Sequence, residues 1–207
     1  MEKCEHSFFL SFTDGHPVMI ESSLRDAYRW YPMYVSYRRE LLVKKALDDQ
    51  QVRNFLPMVE TFERKDKKVV RRLLPAIHNL LFVYATRNMI RYLKMFNPAC
   101  APLQYMSIKP RTADQVPVVI SVDEQRMEQF MKAMEVRDGQ NRRTLLPYDE
   151  ALYGKEGRKI KFIKGDFEGI EGTIKRIKNN RSLIITLKHV GVLVITIDHA
   201  TDIEFID

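Results

Sequence analysis

The chain has 207 residues, 45% of them hydrophobic, which is enough apolar material for one large or two small cores and excludes a disordered polypeptide. Lysine and arginine outnumber aspartate and glutamate 34 to 27, and the resulting formal charge of +7 favours an anionic partner such as RNA, DNA or an acidic protein groove. Two cysteines, Cys4 and Cys100, lie far apart and outside any metal-like spacing, so neither a disulfide framework nor a zinc site is expected and a reducing cytoplasm is the simplest compartment.

Residues 1–27 read as a leader outside the main fold. Ser7-Phe-Phe-Leu-Ser-Phe12 is too short for a signal peptide and is flanked by Glu2, Glu5 and Asp14. No apolar run approaches bilayer length, and the longest, Val190 to Ile197, is strand-sized, so no membrane partner is expected. From Trp30 the pattern becomes orderly. Trp30-Tyr-Pro-Met-Tyr-Val-Ser36 is aromatic and β-branched and predicts a strand, with Pro32 near an edge or bulge. Arg38 to Gln50 carries Val43, Ala46, Leu47 and Gln50 at helical spacing, with Lys44, Lys45 and Asp48 turned to solvent.

Phe55 to Phe62 and Val69 to Leu74, separated by Glu63-Arg-Lys-Asp-Lys-Lys68, predict two strands joined by an exposed basic tip. Asn79 to Tyr84 forms a further apolar strand. Met89, Leu93 and Phe96 then mark one face of a short helix that stops before Pro98. After a short strand at Val118-Val-Ile120, Ser121 and Glu124 have capping-box spacing, and Met127, Phe130, Met131 and Met134 repeat along one helical face. Residues 137–156 lack a sustained period and contain Gly139, Pro147 and Gly154, which predicts an interdomain linker.

Beyond the linker, Ile160 and Phe162 alternate with Lys159 and Lys161, so one face packs inward and the other stays wet and positive. Gly165, Gly169 and Gly172 then fall where a reversing chain needs positive φ or close backbone approach. Leu183 to Leu187 and Val192 to Ile197 are joined by Lys188-His-Val-Gly191, and this run of short strands predicts a small closed β-barrel rather than helices.

The glycine-spaced turn between basic strands resembles a KOW motif. Taken with Trp30-Tyr31, the amphipathic helix, the charged hairpin and the Leu-Pro then Phe-Val stretch, the chain from about residue 29 to its end resembles the NusG family of transcription elongation factors. Tyr37-Arg-Arg-Glu-Leu41 and Pro75-Ala-Ile-His-Asn-Leu-Leu-Phe-Val83 are most similar to its specialised branch, the UpxY-type antiterminators of capsular polysaccharide loci. The resemblance implies an α+β protein: a ferredoxin-like NusG domain over 28–136, with helices on an antiparallel sheet, then an SH3-like KOW barrel over 157–207.

It further implies that the N-terminal domain binds RNA polymerase and suppresses pausing or termination, and that the barrel recruits a ribosomal protein or a termination factor. Carried over by position, the polymerase-facing residues are Pro32, Tyr34, Leu74, Pro75, Leu80 and Phe82. Leu80 and Phe82 equally suit the core. This chain departs from the general family pattern of Phe-Pro-Gly-Tyr at Leu74-Pro-Ala-Ile-His-Asn79, which is longer and lacks the glycine.

Arg38, Arg39, Lys65, Lys67, Lys68, Arg71 and Arg72 are candidates for phosphate contact with non-template DNA or the upstream duplex, although charged hairpin tips also serve as solvated loops. Phe167 and Ile170 are candidates for docking a partner on the barrel, core packing being the alternative. The five histidines are scattered, with no metal spacing and no catalytic couple, so no cofactor, no metal and no enzymatic activity are expected. A monomer is expected. Two rival readings share the barrel: a general NusG serving all genes, and a KOW-bearing RNA-binding protein of the ribosome.

Overall fold

The computed structural model describes residues 10–13, 16–19, 27–65, 68–108, 116–136, 142–153, 157–177, 179–199 and 202–206. In the expected leader, strands β1 (Leu10–Thr13) and β2 (His16–Met19) pair as an antiparallel hairpin.

The N-terminal unit is built on β3 (Arg29–Val35), the strand expected from its aromatic and β-branched residues. Helix α1 (Glu40–Asp49) follows, then β4 (Asn54–Phe55), the hairpin of β5 (Met58–Lys65) and β6 (Lys68–Pro75), and β7 (Leu80–Ala85). Helix α2 (Arg87–Phe96) and strand β8 (Leu103–Tyr105) complete a four-stranded sheet in the order β4-β7-β3-β8, with every pairing antiparallel. A small pair, β9 (Ser107–Ile108) with β10 (Val118–Val119), leads into helix α3 (Glu124–Glu135).

Strand alternation decides the layers. Tyr31, Met33, Val35, Leu81, Val83 and Ala85 point to one face and pack with Val43 and Leu47 of α1 and Ile90 and Leu93 of α2. Trp30, Leu80 and Phe82 point to the other, where Met127, Phe130, Ala133 and Met134 of α3 cover them. The sheet is therefore sandwiched between two helices and one. Arg53 ties these parts together: its guanidinium lies 5.1 Å from the Trp30 ring centroid and 5.3 Å from that of Tyr84, and it pairs with Glu124 of α3 at 3.3 Å.

Three helix details differ from expectation. Gln50 is exposed just past the end of α1. On α2 the buried pair is Ile90 and Leu93, while Phe96 is left exposed and stacks on Tyr92 at 4.7 Å. On α3 the cap is Asp123, whose Oδ1 accepts from the Arg126 backbone N–H at 2.9 Å, so Ser121 does not close a capping box.

On α1, Asp48 accepts hydrogen bonds from Lys44 at 2.8 Å and from Asn54 at 2.7 Å, which hold its carboxyl below the ordinary value of 3.8. A depressed folded value means that this contribution is present at neutral pH and disappears as the pH falls through the folded value. The pair is largely solvent-exposed, so the contribution is small. Asp48→Asn is expected to lower a stability-against-pH curve slightly and evenly above pH ~5 and to flatten its acid limb, so that the variant and parent curves converge at low pH.

The C-terminal unit is a six-stranded antiparallel sheet in the order β11-β15-β14-β13-β12-β16. Its strands are β11 (Arg143–Pro147), β12 (Lys159–Phe162), β13 (Glu171–Ile177), β14 (Asn180–Leu187), β15 (Gly191–Thr196) and β16 (Ile203–Phe205). Among the described residues β11 and β16 do not pair, so the expected barrel is not closed by a hydrogen-bonded seam. The residues expected to form an interdomain linker supply β11 and a short helix α4 (Glu150–Tyr153). Their apolar side chains explain the difference: Leu146, Tyr148 and Tyr153 cover Ile184, Val192 and Val194 on the outer face of the sheet.

The glycines act as their spacing predicts, by two different routes. Gly165 and Gly169 have φ of +85° and +82°, whereas Gly172 lies so close to β14 that a Cβ would fall 2.5 Å from the Ile184 carbonyl oxygen.

Candidate functional site

Pro32, Tyr34, Leu80 and Phe82 share one face of the central sheet, because Pro32 is opposite Phe82 and Tyr34 opposite Leu80 in the β3–β7 register. Helix α3 occupies most of that face. Phe130 sits 5.7 Å from Phe82 and 6.0 Å from Phe55, and Pro32, Leu80 and Phe82 are all buried. Of these four expected contacts only Tyr34 reaches the surface, at 44% exposure. Leu80 and Phe82 take the core role that the sequence left open.

The β5–β6 hairpin carries a different kind of surface. It pairs with no other described strand, and a lone two-stranded ribbon is marginal in water. In its register Val59 is opposite Leu74 and Glu63 opposite Val70, placing three exposed aliphatic side chains on one face with Arg72. The other face carries exposed Leu73 opposite Glu60, and Glu60 is bonded to Arg71. An apolar strip on an otherwise unsupported ribbon is the kind of surface that a partner covers. Leu74 is therefore exposed as expected and Pro75 is half-buried beside it. The side chains of Lys65 and Lys68, and the whole of Lys67, lie outside the described residues.

Between β3 and α1 the chain makes a tight knuckle. Tyr37 has φ 64° and ψ 28°, and Arg38 has φ 53°, left-handed values costing about 1–3 kcal/mol each for such residues. Asn79, also left-handed at φ 65°, holds it in place. Its Oδ1 accepts from the Arg38 backbone N–H at 3.1 Å, and its carbonyl accepts from the Val35 N–H at 2.8 Å. The Asn79 N–H in turn donates to the carboxyl of Glu40, which is buried. The result is an exposed Tyr37-Arg38-Arg39 projection, with the Arg39 guanidinium 5.8 Å from the Tyr37 ring centroid. Sequence reasoning selected the two arginines and missed Tyr37, Glu40 and Asn79. The available signal was an asparagine, a residue tolerant of left-handed backbone, at the mouth of a strand.

The C-terminal sheet packs directly on α3. One apolar cluster runs from Trp30 and Phe82 through Met127 and Phe130 to Ile160, Leu183, Leu193 and Ile195. Gln129 Oε1 accepts from the Glu171 N–H at 3.0 Å, and Arg143 donates to the Ala133 and Met134 carbonyls at 2.8 and 2.5 Å, capping the end of α3. Ile77, from the longer loop before β7, lies beside the position of Gly191. A groove of about 630 Å³ remains between α3 and the sheet, lined by Arg126, Gln129, Tyr148, Lys159 and Lys188 among others.

Phe167 and Ile170 belong to this core rather than to a docking surface, being only 1% and 3% exposed. Phe167 packs on Phe162 at 5.8 Å, and Arg142 covers its other side with the guanidinium 5.1 Å from the ring centroid. Arg142 is held there by Asp166 at 2.5 Å and Asp198 at 3.3 Å. Their position beside a glycine turn suggested exposure, but the turn folds back over the sheet.

Among the described residues no group of histidine, cysteine and carboxylate side chains is arranged to hold a metal ion, and no helix is long and apolar enough to cross a membrane. The fold has an α/β sheet domain with an exposed hairpin at its N-terminal end and an antiparallel sheet at its C-terminal end. Residues 28–100, the stretch from just before β3 to just before β8, match the family model described as transcription termination factor NusG. The match ends at Cys100, before α3 and the C-terminal sheet. No curated protein matches the chain.

Proposed function

We propose that the protein is a transcription elongation and antitermination factor that binds RNA polymerase through its NusG domain and suppresses pausing or termination at a particular operon, such as a capsular polysaccharide locus. The observation that carries this reading is the apolar strip of Val59, Val70 and Leu74 on an unsupported hairpin within the stretch that matches NusG. Tyr34 is a further exposed contact on the sheet, with Leu80 opposite it and Pro32 and Phe82 buried along the same face. The factor acts by holding the elongating form of polymerase in preference to the paused form, and its effect is bounded by that affinity difference.

The specialised branch is favoured by one physical link. The two stretches most similar to it, Tyr37 to Leu41 and Pro75 to Val83, are joined through Asn79, Arg38 and Glu40. The C-terminal unit, in this reading, recruits a ribosomal protein or termination factor through residues other than the buried Phe167 and Ile170. In this reading Arg38, Arg39 and Arg72 meet nucleic acid near the polymerase.

The test uses the labelled full-length chain and reconstituted elongation complexes. Tyr34→Asp and Leu74→Asp, both at exposed positions, are expected to weaken association about 10-fold or more while leaving the melting temperature nearly unchanged. Undiminished binding by both variants, or no association of the parent chain at any ionic strength, overturns the reading. Occupancy confined to one gene cluster supports the specialist, and occupancy at nearly every transcribed gene supports a general factor.

A further inference from the structure

We infer that helix α2 carries a docking face for this chain's own leader, and that the segment Glu2 to Phe9 covers it in cis, a role separate from polymerase binding. Helical spacing divides α2 into three stripes. Ile90 and Leu93 are buried in the core. Tyr92, Met95 and Phe96, three and four residues apart, form a second stripe that faces solvent, with Met95 70% and Phe96 66% exposed and the Tyr92 and Phe96 rings stacked at 4.7 Å. Arg87, Arg91 and Lys94 form the third, and α2 has no acidic residue to balance them. Among the described residues neither Arg91 nor Lys94 makes an ion pair. An apolar stripe edged by positive charge is suited to a segment that is both aromatic and acidic.

The leader supplies that chemistry. Glu2, Glu5, Asp14, Glu21 and Asp26 outweigh Lys3 and Arg25 there, in a chain whose formal charge is +7, and Glu2 and Glu5 run directly into Phe8 and Phe9. The tether is long enough. The β1–β2 hairpin sets Leu10 opposite Met19, so the segment that precedes Leu10 starts beside the beginning of residues 20–27. Those residues span at most about 28 Å when extended. They end at Tyr28, whose ring packs on Tyr84 at 5.6 Å, and at Arg29, which is opposite Ala85 just before α2 begins at Arg87. Because α2 is only about 15 Å long, its whole apolar stripe lies within reach. So short a tether also gives the leader a high effective concentration at this face, which no free segment of the same composition matches.

The experiment uses the full-length chain and its own Cys4, since Cys100 is buried. Met95→Cys places a thiol on the apolar stripe, and Val116→Cys, at an 82% exposed position away from α2 in sequence, is the control. Disulfide formation with Cys4 under mild oxidation is followed by mass spectrometry of the linked peptides. Each rate is divided by the rate of the same variant with glutathione disulfide, which removes differences in thiol reactivity. Linkage of Cys4 to the Met95→Cys thiol is expected to be about 10-fold faster than to the Val116→Cys thiol. Phe8→Ser with Phe9→Ser, and separately Glu2→Lys with Glu5→Lys, are expected to bring the faster rate down toward the control.

Equal normalised rates for the Met95→Cys and Val116→Cys chains overturn the inference, as does a faster rate at position 95 that survives the Phe8 and Phe9 substitutions. A disulfide that joins two chains, with a rate that rises with protein concentration, overturns it as well and makes a second copy the occupant of the α2 face.

Discussion

Phe82→Ala is expected to cost about 3–5 kcal/mol of folding stability, the range for truncating a fully enclosed aromatic ring. Phe82 has no exposed surface, and it is enclosed by Phe130 on α3 and by the apolar cluster that continues into the C-terminal sheet. The alanine leaves a cavity at the point where both units meet, so the loss reaches beyond the central sheet. Trp30 is the only tryptophan and lies in the same cluster, so its fluorescence during urea unfolding reports the change locally. A midpoint unchanged from the parent would place Phe82 at the surface and restore it as a direct partner contact. Tyr34→Ala, at a 44% exposed position on the same face, is expected to change stability by less than about 0.5 kcal/mol, which separates the two roles.

The sequence made the elements legible wherever period and composition agreed. The aromatic strand at Arg29–Val35, the charged hairpin and the C-terminal strands at Asn180–Leu187 and Gly191–Thr196 fall where aromatic and β-branched composition placed them. What it did not reveal depends on contacts between distant residues. The strand at Arg143–Pro147 has no strong local pattern, and it forms because Val192 and Val194 need a cover that Leu146 and Tyr148 supply. Phe167, beside the glycine turn, suited docking or core packing equally by sequence, and Arg142, drawn in by Asp166 and Asp198, closes over it.

The candidate site divides along the same line. The β3–β7 register puts Pro32, Tyr34, Leu80 and Phe82 on one face, but the strand period is silent about whether a helix later in the chain covers that face. The knuckle is the extreme case. Nothing in a Tyr-Arg-Arg run signals left-handed backbone, because the conformation is imposed from Asn79, some forty residues away in sequence.

The glycines of the C-terminal turn offer a sharp contrast, because similar spacing conceals two different constraints. Gly172→Ala puts a methyl 2.5 Å from the Ile184 carbonyl oxygen and 2.6 Å from Leu183 Cδ2, so β13 and β14 must separate or the core must repack. A loss of about 1–3 kcal/mol is expected from such overpacking, measured by thermal denaturation of the full chain. Gly165→Ala meets nothing within 4 Å, and its cost of about 1–2 kcal/mol comes only from holding φ at +85°. Asparagine distinguishes the two causes, since it tolerates left-handed backbone but is larger than alanine. Gly165→Asn is expected to be milder than Gly165→Ala, whereas Gly172→Asn is expected to be worse than Gly172→Ala. If asparagine relieved both positions alike, backbone conformation alone would govern the turn, and the tight approach of β13 to β14 would have to be abandoned as the reason for Gly172.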